Sequence, residues 1–314
     1  MIDEITIQNM RTGETIVLDK TGDTGLVISE IDWDSASVTN ESYRIPFQIG
    51  ETLSSTVVGT RVPTITGYVV SNNTPVLGTT WEEYYKAQKE DVENKKDNLN
   101  KFISIYDTYR IIAGDFYLEG IPRQPIKYSY DENENNEVLC LFEIELGCYN
   151  PTFKCVGGNT ETFYELINMF HLPMNPTSSG PLVFGERKIT TQKTINNMGD
   201  VSTGMVITIE PLYGSISGFT ITNVSTGEQF KITYTMDMDS YIVLNTRLGE
   251  EDIYIVDRES GDTQSLISVI DIDSAFLQLQ RGENLILCET SNEADGELDV
   301  TIEYTERFFN IKEM

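Results

Sequence analysis

The chain has 314 residues, of which 39% are hydrophobic, enough for two domains with ordinary cores and too many for one comfortable β-sandwich. Its net charge of −28 divides as −12 over residues 1–155, −1 over 156–209 and −15 over 210–314. That distribution leaves no basic stripe to replace phosphate counterions, and it excludes sequence-specific nucleic-acid binding.

No apolar run approaches the roughly 18 residues of a membrane span, so no membrane insertion is expected. The start, Met1-Ile2-Asp3-Glu4, is acidic and lacks a secretory pattern, which predicts synthesis in a cytoplasm. The first sixty residues read as strands with turns: Leu26–Ile28, Ile31–Trp33, Arg44–Ile49, then Arg61–Val70. Pro63 near the start of the last gives it an edge position or marks its beginning. A helix is predicted from Trp81 to about Tyr106, with Thr79-Thr80 as N-cap and Glu82-Glu83 in its first turn. Trp81, Tyr85, Gln88, Val92, Leu99, Phe102 and Ile103 form its apolar stripe, which Lys95-Lys96 interrupts. The stripe either packs on the chain's own sandwich or also meets a neighbouring subunit.

Beyond the helix, Gly114–Gly120 reads as a short strand bounded by glycines, and Tyr130–Asn136 as a polar turn. Phe142, Ile144, Leu146 and Cys148 alternate with Leu141, Glu143, Glu145 and Gly147, the period of a strand over a core. That strand stops at Cys148-Tyr149-Asn150-Pro151. Residues 156–190, with Gly157-Gly158-Asn159 and His171-Leu172-Pro173-Met174-Asn175-Pro176, read as a connector. From Thr191 onward strand follows strand: Met205–Ile209, Phe219–Ile221, Phe230–Tyr234, Ile253–Ile255 and Leu298–Tyr304, separated by turns such as Ser225–Glu228 and Ser260–Asp262. The reading is mainly β: an N-terminal sandwich or barrel-like domain with one α-helix over 1–155, a connector, and a β-sandwich over 191–314.

Catalytic chemistry finds little to work with. The single histidine, His171, lies in a proline-rich loop without a triad around it. Gly214-Ser215-Ile216-Ser217-Gly218 has Ile216 where a nucleophile elbow needs serine, so it reads as a flexible turn. Asp237-Met238-Asp239-Ser240 and Asp271-Ile272-Asp273 start like calcium loops but lack the later ligands and glycine. Cys140, Cys148, Cys155 and Cys288 have no zinc or redox spacing, and free buried thiols are expected. No catalytic residue, cofactor or metal ligand is assigned. The alternative function is carbohydrate binding by the C-terminal sandwich, with Tyr213, Tyr241, Tyr254 and Phe276 as possible stacking rings.

The order of these pieces resembles the distal tail proteins of long-tailed bacteriophages over nearly the whole chain. In the first half the match runs through Arg61–Val70, Trp81–Tyr106, Gly114–Gly120 and Phe142–Phe153. In the second it runs through Ile195–Asp200 into Val206–Ile209, then Met238–Asn245, Leu277–Asn284 and Val300–Tyr304 before Phe308-Phe309. The resemblance implies a structural, non-enzymatic virion protein at the tail tip, made in the host bacterial cytoplasm. Its N-terminal domain would form a homohexameric ring, single or stacked, and a galectin-like C-terminal sandwich would project from it. The implied partners are the tail tube protein on one side and a tail-associated lysin or fibre-base protein on the other. Receptor-binding protein is a further implied partner. Tyr84, Gln88, Val92 and Lys95 of the helix are the expected subunit-interface residues. The acidic charge then either serves solubility or forms a surface past which DNA slides.

Overall fold

The structure is a computed structural model, and it describes residues 3–45, 49–74, 79–129, 138–168, 185–212, 214–291 and 298–311. The turn at Tyr130–Asn136, His171 and Tyr213 lie outside the described residues. The chain divides into two compact units, one of residues 1–156 and 309–314, the other of 157–308.

The first unit contains β1 (Glu4–Asn9), β2 (Thr15–Asp19), β3 (Leu26–Asp32), β4 (Val38–Tyr43), β5 (Thr52–Val58) and β6 (Thr64–Val70). These are followed by α1 (Trp81–Phe102), β7 (Tyr109–Ala113), β8 (Phe116–Pro122), β9 (Lys127–Ser129), β10 (Leu139–Gly147) and β11 (Phe153–Cys155). The strand order β8-β7-β1-β2-β3-β6-β10 closes on itself, because β10 also pairs with β8 through Leu146–Pro122 and Gly147–Ile121. A seven-stranded barrel results, and closure removes the open edges that invite unwanted pairing.

Alternation fills this barrel as the sequence predicts. Phe142, Ile144 and Leu146 of β10 point inward with Ile65 and Val69 of β6 and Ile5 and Ile7 of β1. β6 is a central strand that begins immediately after Pro63, so the proline sits where no ladder donor is needed. Leu26–Ile28 and Ile31–Trp33, two pieces in the sequence, are one strand broken by a bulge between Ile28 and Glu30.

The helix starts where the sequence places it. The Thr80 hydroxyl accepts a bond from the Glu83 amide while the Glu83 carboxylate accepts one from the Thr80 amide, a closed capping box. It ends at Phe102, earlier than predicted. The reason is Tyr109, whose buried hydroxyl donates to the Phe102 carbonyl at 2.6 Å and accepts from the Ser104 amide at 2.7 Å. That one side chain satisfies groups a further turn would have used.

The second unit contains β12 (Asn159–Thr162), β13 (Tyr164–Asn168), β14 (Gly185–Ile189), β15 (Gln192–Asn197), β16 (Met205–Pro211), β17 (Phe219–Asn223) and β18 (Glu228–Ile232). It continues with β19 (Ser240–Asn245), β20 (Asp252–Asp257), β21 (Thr263–Ser265), β22 (Gly282–Thr290), β23 (Leu298–Tyr304) and β24 (Arg307–Phe308). A six-stranded sheet, β12-β23-β16-β19-β20-β21, and a four-stranded sheet, β15-β22-β17-β18, enclose one core. Ile207, Ile209, Leu244, Phe230 and Ile302 are fully buried in it.

Two expectations change here. Residues 159–163, assigned to the connector, belong to this unit: β12 pairs with β23, and Phe163 is a buried core side chain. Gly214–Gly218 is no loose turn either. Ile216 is fully buried and exchanges both backbone bonds with Met236, at 2.9 and 2.8 Å.

The motifs around Asn197 and Leu277–Asn284 also acquire a physical cause. Asn197, Asn223 and Asn284 are completely buried. Asn197 donates to Val201 and Leu279 carbonyls, Asn223 to the Gln278 carbonyl, and Asn284 to the Gln280 and Gly282 carbonyls. Side-chain amides thus satisfy backbone carbonyls at one end of the sandwich.

Candidate subunit interface

The helix residues expected at an interface are mostly occupied within their own unit. Val92 is fully buried in the barrel core and has no surface to offer a neighbour. It must be removed from the interface set, because the stripe at its level faces inward. Lys95 lies along β6. Its ammonium donates to the Val70 carbonyl at 2.8 Å and to Asp91 at 2.9 Å. The tip also covers Gly25, where a Cβ would lie 2.4 Å from Nζ, at a backbone φ of +78° that already favours glycine.

Asp91 additionally accepts from the Ser71 hydroxyl and the Asn72 amide. Burial pushes its pKa up, but the bonds from Lys95, Ser71 and Asn72 outweigh that and hold it below the ordinary value. Lys96 pairs with Glu93 and lies over the Tyr128 ring. The two lysines therefore brace the helix onto its own barrel. Tyr84 and Gln88 are half-buried: Gln88 donates to the Tyr84 hydroxyl, which donates to the Asn73 carbonyl. They anchor the segment that leads into the helix, while Trp81, 76% exposed, meets the Tyr84 ring with centroids 5.7 Å apart.

A cluster of exposed apolar residues of the first unit lies elsewhere, on β4 and β5. These strands form a separate two-stranded hairpin, and all six residues of β4 are exposed on both faces. Pairing runs from Val38–Val58 to Tyr43–Thr52, with a bulge after Glu41. Alternation places Val38, Asn40 and Ser42 on one face with their partners Val58, Thr56 and Leu53. Thr39, Glu41 and Tyr43 take the other face with Val57, Ser55 and Thr52.

The polar members are tied locally: Thr56 donates to Asn40, Ser55 to Glu41, and Ser42 to Glu51. Among the described residues, nothing covers the aliphatic members. Val38 and Leu53 are each 59% exposed, and Ile45 and Ile49 beside them are also open. A lone two-stranded hairpin is marginal in water, and a contiguous apolar surface on it marks a contact site.

Sequence reasoning missed this element, and most of the strand it read at Arg44–Ile49 lies outside the described residues. Val38-Thr39-Asn40-Glu41-Ser42-Tyr43 carries no apolar/polar alternation, since neither face meets a core. The available signal was composition: β-branched and hydroxyl residues on both sides of a Gly50-containing turn.

In the second unit, the rings considered for sugar stacking are partly engaged. Phe276 packs on the core against Phe230, with centroids 5.6 Å apart, and Tyr241 lies under the Arg258 guanidinium. Asp237 and Asp239 use their carbonyls for turn bonds to the Ser240 and Arg258 amides.

Residues 198–308 match the family model for the siphovirus-type tail component, C-terminal domain. No curated protein matches the chain. Among solved structures, the crystal structure of the SPP1 Dit (gp 19.1) protein aligns with a TM-score of 0.64 at 12% identity. The alignment covers 97% of this chain and 99% of that one, and that protein is described as a paradigm of hub adsorption apparatus in phages infecting Gram-positive hosts. A chain of the phage P2 baseplate, in its activated conformation with calcium, aligns at a TM-score of 0.46 and 12% identity, covering 96% and 98%. At these identities the structural likeness speaks to fold alone.

Proposed function

We propose that the chain is a distal tail protein of the siphovirus type, a structural component of the phage tail tip, and that it closes into a six-fold ring joining the tail tube to the tip apparatus; the match of residues 198–308 to the C-terminal domain of that tail component and the likeness of fold to SPP1 Dit support this reading. The observation that carries this reading is the uncovered β4–β5 hairpin. It is a separate two-stranded sheet beside the closed barrel, and its exposed apolar row invites a surface from outside the chain. A second copy supplies one: a heterologous contact repeated with a closing rotation makes a ring, with each hairpin laid on the next barrel. Val38, Leu53 and Val58 form the packing row in this reading, and the Glu41 face turns toward the channel.

Charge supports the same arrangement. The first 155 residues are net −12, and a negative channel wall offers duplex DNA no cationic hold as it passes. The tail tube protein is the partner on one side of the ring, and the tail-associated lysin or fibre-base protein the partner on the other. Receptor-binding protein attaches to the C-terminal sandwich. Electron microscopy of the purified full-length chain tests the ring. Class averages with six-fold symmetry and an open centre are expected; particles without a closed annulus at any concentration would remove the reading.

A further inference from the structure

A hairpin that packs on a second copy needs a seat there, and the first unit carries a groove suited to it. The groove, of about 410 Å³, lies between the last turn of α1 and the start of β2, lined by Glu14, Thr15, Ile16, Asn98, Lys101 and Phe102. Ile16 is half-buried and Phe102 belongs to the barrel core, so these two give it an apolar floor. Its walls are exposed and polar, with Asn98 and Lys101 on the helix side and Glu14 and Thr15 on the strand side.

The chain just past the groove is pinned. Tyr109 holds the Phe102 carbonyl and the Ser104 amide. Asp107 accepts from Asn9 at 3.0 Å and from Nε and Nη2 of Arg11 at 2.8 and 2.9 Å. Ile105 and Tyr106, 43% and 88% exposed, lie between these pins and extend apolar surface beyond the helix end.

Charge points to the occupant. Ser42 shares a hairpin face with Leu53, and its hydroxyl donates to Glu51, so the Glu51 carboxylate lies beside the apolar row. Among the described residues Lys101 has no acidic partner, whereas Lys95, Lys96 and Lys127 each have one. Aliphatics beside a carboxylate on one surface thus answer an apolar floor beside an ammonium on the other. Glu14, on the opposite wall, repels the same carboxylate and sets the sense in which the hairpin enters.

We infer that this groove is the acceptor for the β4–β5 hairpin of a second copy, with Leu53 over Ile16 and Phe102 and Glu51 paired with Lys101. The inference rests on the ring proposed above and names the surface that the hairpin meets. Donor and acceptor are then different patches of one chain, the heterologous contact from which rings are built.

Charge reversal on the full chain tests it, read as the strength of association by sedimentation. Lys101→Glu and Glu51→Lys are each expected to weaken association at least about tenfold, and the two together to restore it to within about threefold of the wild type. Both residues are exposed, and unchanged thermal melting is expected for all three variants. A disulfide tests the geometry separately. Leu53→Cys with Asn98→Cys, in a Cys155→Ser background that removes the least buried native thiol, is expected to give interchain ladders on oxidation. Wild-type rings with unaltered association in the single reversals and no interchain disulfide overturn the groove while the ring stands. A wild type that stays a single chain overturns the ring, and the groove with it.

Discussion

Replacing Val38 and Leu53 together by aspartate is expected to break the assembly into single chains while leaving the barrel as stable as before. Both side chains are already 59% exposed in the isolated chain, so the substitutions create no cavity, and surface changes of this kind fall within about 0.5 kcal/mol. In the ring the same residues would be covered. Each buried aliphatic contributes roughly 1.5–3 kcal/mol, and a carboxylate forced into that contact adds a desolvation cost. A loss of about 3–6 kcal/mol per interface corresponds to some 10²–10⁴-fold weaker association. Sedimentation at micromolar concentration reads this directly. Retention of the wild-type mass would show that the hairpin is not the contact. A lowered melting temperature without any change in mass would assign the aliphatic row to the chain's own stability.

The second large effect belongs to the barrel wall. Phe142 of β10 lies opposite Gly67 of β6 and is completely buried. A Cβ on Gly67 would stand 2.5 Å from the Phe142 ring and 2.5 Å from the Val27 carbonyl oxygen, so the ring occupies the space that the glycine leaves. This is an aromatic side chain covering a cross-strand glycine. Phe142→Ala removes the cover, and Gly67 has no side chain with which to collapse into the void. A loss of about 3–5 kcal/mol is expected for the first unit.

Gly67→Ala should also destabilise, because the Val27 oxygen is backbone and cannot swing away as a side chain would. Urea unfolding followed by probes in each unit should show the first transition moved and the second in place, since the two cores are separate clusters. A loss below about 1 kcal/mol for Phe142→Ala would mean that the pair is not what closes this wall.

These two sites also mark what the sequence could and could not disclose. Phe142 was legible because a strand with one buried face prints a period of two, and β10, β16 and β23 all do so. The helix N-terminus was legible because a capping box is local. Its C-terminus was not, since the residue that ends it, Tyr109, acts from the following strand. The intrachain partners of Lys95 were not legible for a related reason. Position on a helix face gives the direction of a stem, but a four-carbon side chain can fold its charge back to its own barrel, here to Val70 and Asp91.

The β4–β5 hairpin was invisible because periodicity reports burial within the chain, and this element finds none there. β12 was hidden by polar residues suited to an outer strand: Asn159, Thr160, Glu161 and Thr162 pair through the backbone with β23 while their side chains stay partly exposed. The family resemblance, in contrast, rested on order along the chain, and it pointed to the fold that the barrel and sandwich possess.

The measurement that bears most directly on the ring is the mass of the full-length chain in solution, by light scattering across a concentration series. The account predicts a closed species of six chains of 35.5 kDa each, or a stacked pair of such rings, with no ladder of intermediate sizes. A single 35.5 kDa chain at every concentration up to the solubility limit would contradict it.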